Sequence, residues 1–305
     1  MQSKSQNAPI CLFVYNRPFH TEQTIKHLRE NHLASDSELI VFSDGPKDKK
    51  GAVKVKEVRS IVHSITGFKK THVIERESNY GLSKSIIDGV TQVVNEYGKV
   101  IVVEDDLITS PYFLEYMNQG LRLYSDDQTV ASIHGYVYPV ATELPETFFI
   151  KGADCWGWAT WKRAWDHFEP DGRKLLKKLK ENNLTREFNF NNSYPYTRML
   201  KNQIKGKNNS WAIRWYASAF LQNMLTLYPY PSLVKNIGFD NSGTHSGISG
   251  IFTGNLHSGP IEIRKTEVTE NMLVRKSFEK FFRKRKNICN LTIRIYSKIV
   301  GLLSR

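Results

Sequence analysis

Four short apolar runs alternate with helical patterns over the first hundred residues of the chain. The strand-like runs are 9–15, 38–42, 71–74 and 99–103, and the helical patterns between them are 21–31, 53–65 and 81–97. Nearly continuous apolar strands that alternate with helices are typical of a parallel sheet covered on both faces. The sequence therefore predicts an α/β fold with a mostly parallel, Rossmann-like sheet. Further on, we expect a helix over 111–124 and strands over 128–134 and 225–228.

Polar side chains follow each of the first four predicted strands at the point where the strand ends. They are Arg17, Asp44, Asn79 and the acidic triplet Glu104-Asp105-Asp106. In an open α/β sheet, ligands bind outside the carboxyl ends of the strands. We therefore expect these side chains to belong to one site.

The acidic triplet limits what that site can bind. Three adjacent carboxylates at the end of a buried strand repel one another unless a cation or a hydrogen-bonding ligand offsets their charge. A hard divalent ion that bridges to a diphosphate does so, and it takes most of its ligands from phosphate oxygens and water. The alternative is a solvated acidic turn without a ligand.

The sequence around the triplet also resembles a known family. The segment Val102-Val103-Glu104-Asp105-Asp106-Leu107, followed by Ser110-Pro111, Phe113 and Glu115-Tyr116, is similar to the core motif of N-acetylglucosaminyltransferase I and its bacterial sugar-transferase relatives. Weaker similarity lies in Tyr15-Asn16-Arg17-Pro18, Ser43-Asp44-Gly45 and Cys155-Trp156-Gly157-Trp158, and spans about residues 9–245. The resemblance implies a GT-A fold and a transferase that uses a UDP-sugar and Mn²⁺ or Mg²⁺.

The resemblance also implies roles for individual residues. Asp106 would ligate the metal, Asp105 would hold the ribose and Glu104 would contact the donor sugar. Arg17 would meet the diphosphate and Asp44 the uracil. These roles fit the chemistry, since a guanidinium pairs with phosphate and a carboxylate accepts from a base N–H. A surface ion pair for Arg17 and a turn-forming role for Asp44 are the alternatives.

Further candidates come from the residues themselves. Asn79 and Lys84 open a helix whose backbone N–H groups could face the diphosphate or ribose, although an ordinary capped turn would look the same. Trp158 could offer an aromatic wall to a sugar ring, or it could be core, as we expect for Trp165. His245, in a glycine-rich loop over 238–254, is a candidate late metal or phosphate ligand.

The general base is the least determined role. An inverting transfer needs a carboxylate to accept the acceptor hydroxyl's proton. In N-acetylglucosaminyltransferase I, that carboxylate follows a Trp in a segment that aligns with residues 210–215, where this chain has Ala212. Asp240, on the glycine-rich loop, is therefore the favoured candidate, with Asp154 second. A retaining mechanism without such a base stays open.

The charge of the chain is gathered at its end. Residues 275–305 hold ten Lys and Arg against Glu279, a net +9 of the total +13, which leaves +4 for the first 274 residues. Apolar residues from Phe278 to Leu302 recur at roughly helical spacing, with cations such as Lys280 between them. This pattern predicts a basic amphipathic tail that lies on an anionic membrane surface. A helix packed on the body and a disordered basic tail are the alternatives.

We accordingly expect a nucleotide-sugar-binding half over 1–150, an acceptor-side half over 151–274 that holds all six tryptophans, and the tail over 275–305. No targeting signal, CxxC pair or apolar run long enough to span a bilayer is evident, which favours a cytoplasmic protein peripheral on the inner face of the plasma membrane. We expect no nucleic-acid partner, because the basic charge is not interleaved with aromatics along the chain.

A metal-dependent nucleotidyltransferase and a non-catalytic sugar-nucleotide-binding protein remain alternatives. Acceptors compatible with the sequence are lipid-linked oligosaccharides and precursors of lipopolysaccharide core or capsule, as in bacterial surface polysaccharide synthesis.

Overall fold

The chain folds around one eight-stranded sheet flanked by helices. The computed structural model describes residues 7–239, 252 and 254–285. The strands are β1 (Ile10–Val14), β2 (Glu38–Ser43), β3 (Lys70–Glu75), β4 (Lys99–Glu104), β5 (Leu107–Thr109), β6 (Val130–His134), β7 (Thr147–Ile150), β8 (Trp158–Trp161), β9 (Leu225–Pro229) and β10 (Val234–Asn236). The helices are α1 (Pro18–Arg29), α2 (Lys49–His63), α3 (Leu82–Tyr97), α4 (Phe113–Leu123), α5 (Lys162–Trp165), α6 (Gly172–Glu181), α7 (Thr185–Phe188), α8 (Tyr196–Ile204) and α9 (Trp211–Leu221). Residues 272–285 form a further helix, here the C-terminal helix.

The strand order of the large sheet is β3-β2-β1-β4-β8-β6-β9-β7. The first four strands are parallel, whereas β8 runs antiparallel to both β4 and β6. Strand β9 is parallel to β6 and antiparallel to β7. The predicted α/β fold is confirmed, with its purely parallel part confined to the first four strands. Since β8 lies between β4 and β6, strands from both sides of residue 150 share one sheet.

Local chemistry sets the helix boundaries that differ from the sequence expectation. Helix α1 begins at Pro18, where proline lacks an N–H that would have no partner at a first helical position. Helix α2 begins four residues earlier than expected, because the Asp48 carboxylate accepts a hydrogen bond from the N–H of Gly51 at 2.7 Å. Helix α3 ends at Gly98 in the left-handed conformation.

The C-terminal helix packs against the body of the protein. Phe278 and Phe282 are 0% and 1% exposed, and the buried Arg275 donates to Glu270 at 2.7 Å and to the carbonyl of Glu187 at 2.7 Å. The prediction that Phe278 and Phe282 lie on a membrane is therefore wrong, because the apolar stripe of this helix completes the core. The rest of the predicted tail, residues 286–305, lies outside the described residues. Among the described residues, we find no helix of the length and apolarity that crossing a bilayer requires.

Candidate active site

The register of the parallel strands brings three chain segments to one edge of the sheet. Val14 pairs with Ser43 across β1 and β2, and Phe13 pairs with Glu104 across β1 and β4. The residues that leave these strands therefore emerge side by side. They include Arg17, Asp44 and the acidic pair Asp105-Asp106.

A single guanidinium lies against the acidic triplet. Arg17 Nη1 is 2.8 Å from Asp106 Oδ2 and 3.7 Å from Asp105 Oδ1. The backbone N–H of Tyr15 donates to Asp105 Oδ2 at 3.4 Å, which ties the end of β1 to the end of β4. Arg17, Asp105 and Asp106 are thus brought together, as expected of one site.

Burial dominates the electrostatics of the triplet and favours the neutral forms of its carboxyl groups. Burial, followed by the charge of Asp106, raises the pKa of Asp105 to about 7, and Arg17 opposes this rise. Burial, together with the neighbouring Asp106 and Asp105, also raises the pKa of Glu104 well above its ordinary value. Among the described residues, Arg17 is the positive group that opposes these rises, and a divalent cation beside the carboxyl groups would likewise favour their ionised forms.

The residues present fit such a cation only in part. Among the described residues, no cluster of three or more His, Cys, Asp or Glu side chains is arranged to hold a metal ion. The Asp106 side chain is 20% exposed and accessible at the edge of the site. An ion there would take its remaining ligands from diphosphate oxygens and water, which hard divalent ions accept readily. The other proposed ligand, His245, lies outside the described residues.

The backbone after β10 lies directly on Asp106. Strand β10 pairs with β5 antiparallel, and the N–H of Ile237 donates to the carbonyl of Asp106 at 2.8 Å. A Cβ added to Gly238 would stand 2.8 Å from Asp106 Cγ, closer still to its Oδ2, and 3.0 Å from Arg17 Nη2. Any larger residue at this position would therefore displace the side chains of Asp106 and Arg17. The candidate base Asp240 follows two residues later and lies outside the described residues.

Asp44 joins the loops that follow β2 and β3. Its buried carboxylate accepts from the N–H groups of Tyr80 at 2.8 Å and Gly81 at 2.9 Å, and from the Asn79 side-chain amide at 3.0 Å. Asn79 also donates to the carbonyl of Gly45 at 2.9 Å. The hydrogen bond between Asn79 and Asp44 thus fixes both side chains at the edge of the site.

Lys84 is directed along its own helix. Its ammonium group pairs with Asp88 one turn further along α3 and lies 4.4 Å from the centroid of the Tyr80 ring. The Lys84 side chain is more than half exposed. It is therefore near the Asp44 loop without contacting the acidic triplet in this structure.

Trp158 does not form a ligand-facing wall. It is 0% exposed in β8, and its ring stacks on Trp211 at 5.4 Å and lies 5.8 Å from Trp165. The expectation that Trp158 faces a ligand is wrong, because all four residues of β8 are buried and its ring packs among other tryptophans, whereas the expectation that Trp165 is core is confirmed. The partly exposed tryptophan of the segment is Trp156, whose ring lies 5.5 Å from Phe239, next to Gly238.

Asp154 lies in a hydrogen-bonded group behind Trp156. Its carboxylate accepts from the hydroxyls of Tyr138 at 2.8 Å and Tyr228 at 2.6 Å, and burial raises its pKa. The neighbouring His134 accepts from the N–H of Trp156 through Nε2 at 3.2 Å, and burial lowers its pKa to about 3. His134, Tyr138 and Tyr228 could not be identified from the sequence, since nothing local distinguishes them from core residues.

Comparison with known proteins places the chain in a family. The family model of glycosyl transferase family 2 matches residues 10–191, which is more than half of the chain. No curated protein matches the chain. The family match is broad and does not single out N-acetylglucosaminyltransferase I.

Similar solved structures are distant. The mannosyltransferase PcManGT from Pyrobaculum calidifontis, in complex with GDP-Man and Mn²⁺, is 13% identical over 43% of this chain and 35% of its own, with a TM-score of 0.31. Glucosyl-3-phosphoglycerate synthase from Mycobacterium tuberculosis, in complex with Mn²⁺, UDP-glucose and phosphoglyceric acid, is 12% identical over 53% of this chain and 58% of its own, with a TM-score of 0.31. The chain thus matches about a third to three fifths of the length of these two proteins. Such similarities are too distant to assign a donor, an acceptor or a metal to this chain.

Proposed function

The chain belongs to glycosyl transferase family 2, and from that premise we propose that it transfers a sugar from UDP to a glycan or lipid-linked saccharide. The observation that carries this proposal is the acidic triplet at the end of β4, with Arg17 from the end of β1 at 2.8 Å from Asp106. A nucleoside diphosphate needs both a cation to bridge to carboxylates and a fixed positive charge for its phosphates. This edge of the sheet offers the carboxylates and the guanidinium together.

We assign the donor contacts in this site by position. Asp105 binds the ribose, Glu104 the sugar and Arg17 the diphosphate. Asp44 and Asn79 form the pocket for the uracil. Asp44 contributes its own carboxylate and also holds the loop after β3 in position through its hydrogen bonds to Tyr80 and Gly81. Lys84 can reach the phosphates only if it leaves Asp88, so its role is secondary.

We further propose that Asp106 binds Mn²⁺ or Mg²⁺ together with the diphosphate. The three adjacent carboxyl groups, whose ionised forms a divalent cation would favour, support this assignment, and His245 remains a candidate second ligand. When bound, the ion would neutralise charge on the departing diphosphate. Arg17 would then exchange its contact with Asp106 for the phosphates.

The general base is proposed as Asp240, with Asp154 as the alternative. Asp240 follows the segment that contacts Asp106, which favours a place beside the acceptor. Asp154 has two tyrosine hydroxyls on its carboxylate, which stabilise the ionised form and oppose the effect of burial. In Asp240→Asn, turnover should fall by about 10²-fold or more with donor binding unchanged. Turnover at the wild-type rate would move the role to Asp154 or to a retaining mechanism.

We also propose that residues 286–305 hold the enzyme to the inner face of the plasma membrane, where a lipid-linked precursor of surface polysaccharide would be the acceptor. Truncation after Arg285 is the appropriate test, because removal of residues 272–285 would expose the core that Phe278 and Phe282 complete. Equal flotation of the truncated and full-length proteins with anionic liposomes would refute the role of this segment.

A panel of nucleotide sugars tests the proposed activity. Each donor is incubated with the protein and Mn²⁺, and the released nucleoside diphosphate is measured with and without chelator. We expect metal-dependent release from a UDP-sugar. UDP binding without release from any donor, also in the presence of candidate acceptors, would favour a non-catalytic sugar-nucleotide-binding protein.

A further inference from the structure

A second concentration of positive charge lies in the folded body, apart from the tail. Residues 173–207 contain ten lysines and arginines against two acids, Glu181 and Glu187. All ten basic residues are exposed: Arg173, Lys174, Lys177, Lys178, Lys180, Arg186, Arg198, Lys201, Lys205 and Lys207. They lie on or next to α6, α7 and α8, and we call them the α6–α8 basic face. Because the first 274 residues carry only +4 in total, this net +8 is strongly localised.

The helices direct these cations away from the core. Helix α6 buries Gly172, Leu175 and Leu179 along one stripe, and α8 buries Leu200. Residues spaced three, four or seven apart share one side of a helix. The opposite sides therefore carry the cations, with Arg173, Lys177 and Lys180 spaced along α6, Arg198 and Lys201 along α8, and Lys205 directly after its last residue.

A shallow groove of about 490 Å³ runs between the two helices. Its lining combines the cations Arg173, Lys177 and Lys180 and one acid, Glu181, with the partly exposed apolar side chains of Leu176 and Ile204. A basic rim around an apolar strip suits the headgroup region of a lipid bilayer, where phosphate and glycerol backbone lie next to each other.

Little of this charge is neutralised within the protein. Across residues 7–239, 252 and 254–285, two of the ten cations have an acidic partner within 4 Å: Lys174 with Glu169 at 3.5 Å and Lys177 with Glu181 at 3.7 Å. Exposed pairs of this kind contribute little to stability. The charge is thus available to an external anionic partner.

The C-terminal helix contacts the segment that joins α7 to α8. The guanidinium of Arg275 donates to the carbonyl of Glu187 at the end of α7, and the Asn191 side chain donates to Glu279 at 2.6 Å. The exposed cations of this helix are Lys276, Lys280, Arg283 and Lys284. The helix thus carries further exposed cations and packs on residues 187–194, which lie between α6 and α8 in the chain.

We propose that the α6–α8 basic face is a docking surface for an anionic phospholipid bilayer, and that it acts through charge rather than through an inserted apolar helix. Nucleic acid is a poorer match, since binding to single strands uses exposed aromatic side chains, whereas Phe188 and Phe190 are buried here. The surface is separate from the acidic triplet and does not depend on the donor chemistry proposed above.

Charge reversal on α6 in the full-length protein tests this docking. The variant Lys174→Glu, Lys177→Glu, Lys178→Glu is compared with Lys50→Glu, Lys54→Glu, Lys56→Glu on α2, which changes the net charge equally at exposed positions. Flotation is measured with vesicles of phosphatidylcholine and phosphatidylglycerol, and with phosphatidylcholine alone. Each lysine near an anionic leaflet strengthens binding by roughly fivefold, so the α6 variant should partition about 10²-fold more weakly. The α2 variant should stay close to wild type.

Other outcomes would overturn the proposal. Wild-type flotation of the α6 variant would do so, as would an equal loss in the α2 variant, because net charge alone would then explain the binding. Loss of transfer to acceptor with vesicle binding retained would assign the face to the acceptor instead. If the α6 variant does not fold, Lys201→Glu with Lys205→Glu on α8 provides the same test. Donor hydrolysis, measured without vesicles, reports separately on the proposed activity.

Discussion

Replacement of Gly238 by alanine should impair the donor site more than it impairs the fold. The added Cβ would stand 2.8 Å from Asp106 Cγ and 3.0 Å from Arg17 Nη2, whereas carbon atoms pack at about 3.5–4.0 Å. Asp106 or the backbone at Gly238 must therefore move by roughly 1 Å. A misplacement of about that size can lower catalysis by about 10²-fold, which corresponds to about 2.7 kcal/mol of transition-state free energy.

The assay is kcat/KM for release of UDP, with the Mn²⁺ concentration varied. We expect a fall of about 10²-fold in kcat/KM and a weaker dependence on Mn²⁺, while the midpoint of thermal unfolding changes little. Gly254→Ala is the matched control, since the nearest neighbour of its added Cβ, Pro139 Cβ, would be 3.9 Å away. If Gly238→Ala retained wild-type kcat/KM, the backbone after β10 would not lie against Asp106 in the working enzyme, and this reasoning would fail.

Three further predictions test other parts of the structure. Trp158→Ala should lower the free energy of unfolding, measured by urea titration, by about 3–5 kcal/mol. The folded fraction of this variant should bind UDP as tightly as wild type does. Weaker UDP binding with unchanged stability would instead indicate that Trp158 contacts the ligand. Arg17→Ala should weaken UDP binding by about 1.5–3 kcal/mol in calorimetry, and no loss would place the diphosphate elsewhere. Burial holds the pKa of His134 at about 3, below its ordinary value of 6.5, so the histidine of the unfolded state is protonated first as the pH falls. The free energy of unfolding should therefore decline between pH 6.5 and 3 by up to about 1.4 kcal/mol per pH unit from this group. His134→Gln should show a shallower decline in urea titrations across that range.

The first four strands could be predicted from the sequence because each is a short apolar run between strong helical patterns. The same patterns placed Arg17, Asp44 and the acidic triplet at one edge, since parallel strands end together. Strands β5 and β10 are only three residues long, and their pairing joins segments more than a hundred residues apart. The contact of Gly238 with Asp106 depends on that pairing, so local pattern could not reveal it.

Two other expectations failed for a common reason. The aromatic pattern around Trp158 favours a ligand-facing wall, and the apolar pattern of Phe278 and Phe282 favours a membrane-facing helix. Both patterns are equally typical of a core, and only tertiary packing decides which surface covers them. Trp158 is buried because β8 lies inside the sheet, between β4 and β6. Phe278 and Phe282 are buried because the C-terminal helix packs on residues 187–194.

Asp106 is proposed to bind a metal ion together with the nucleotide. Calorimetry of UDP binding with and without Mn²⁺ tests it in wild type, in Asp106→Ala and in Asp166→Ala, whose carboxylate forms an exposed ion pair with Lys162. Changes to outer-shell partners of a metal already weaken its binding by about 10–100-fold, so loss of Asp106 should weaken Mn²⁺-dependent UDP binding by at least about 10²-fold, while Asp166→Ala binds as wild type. If Asp106→Ala bound UDP and Mn²⁺ as tightly as wild type, Asp106 would not be a metal ligand, and the account of the site would be contradicted.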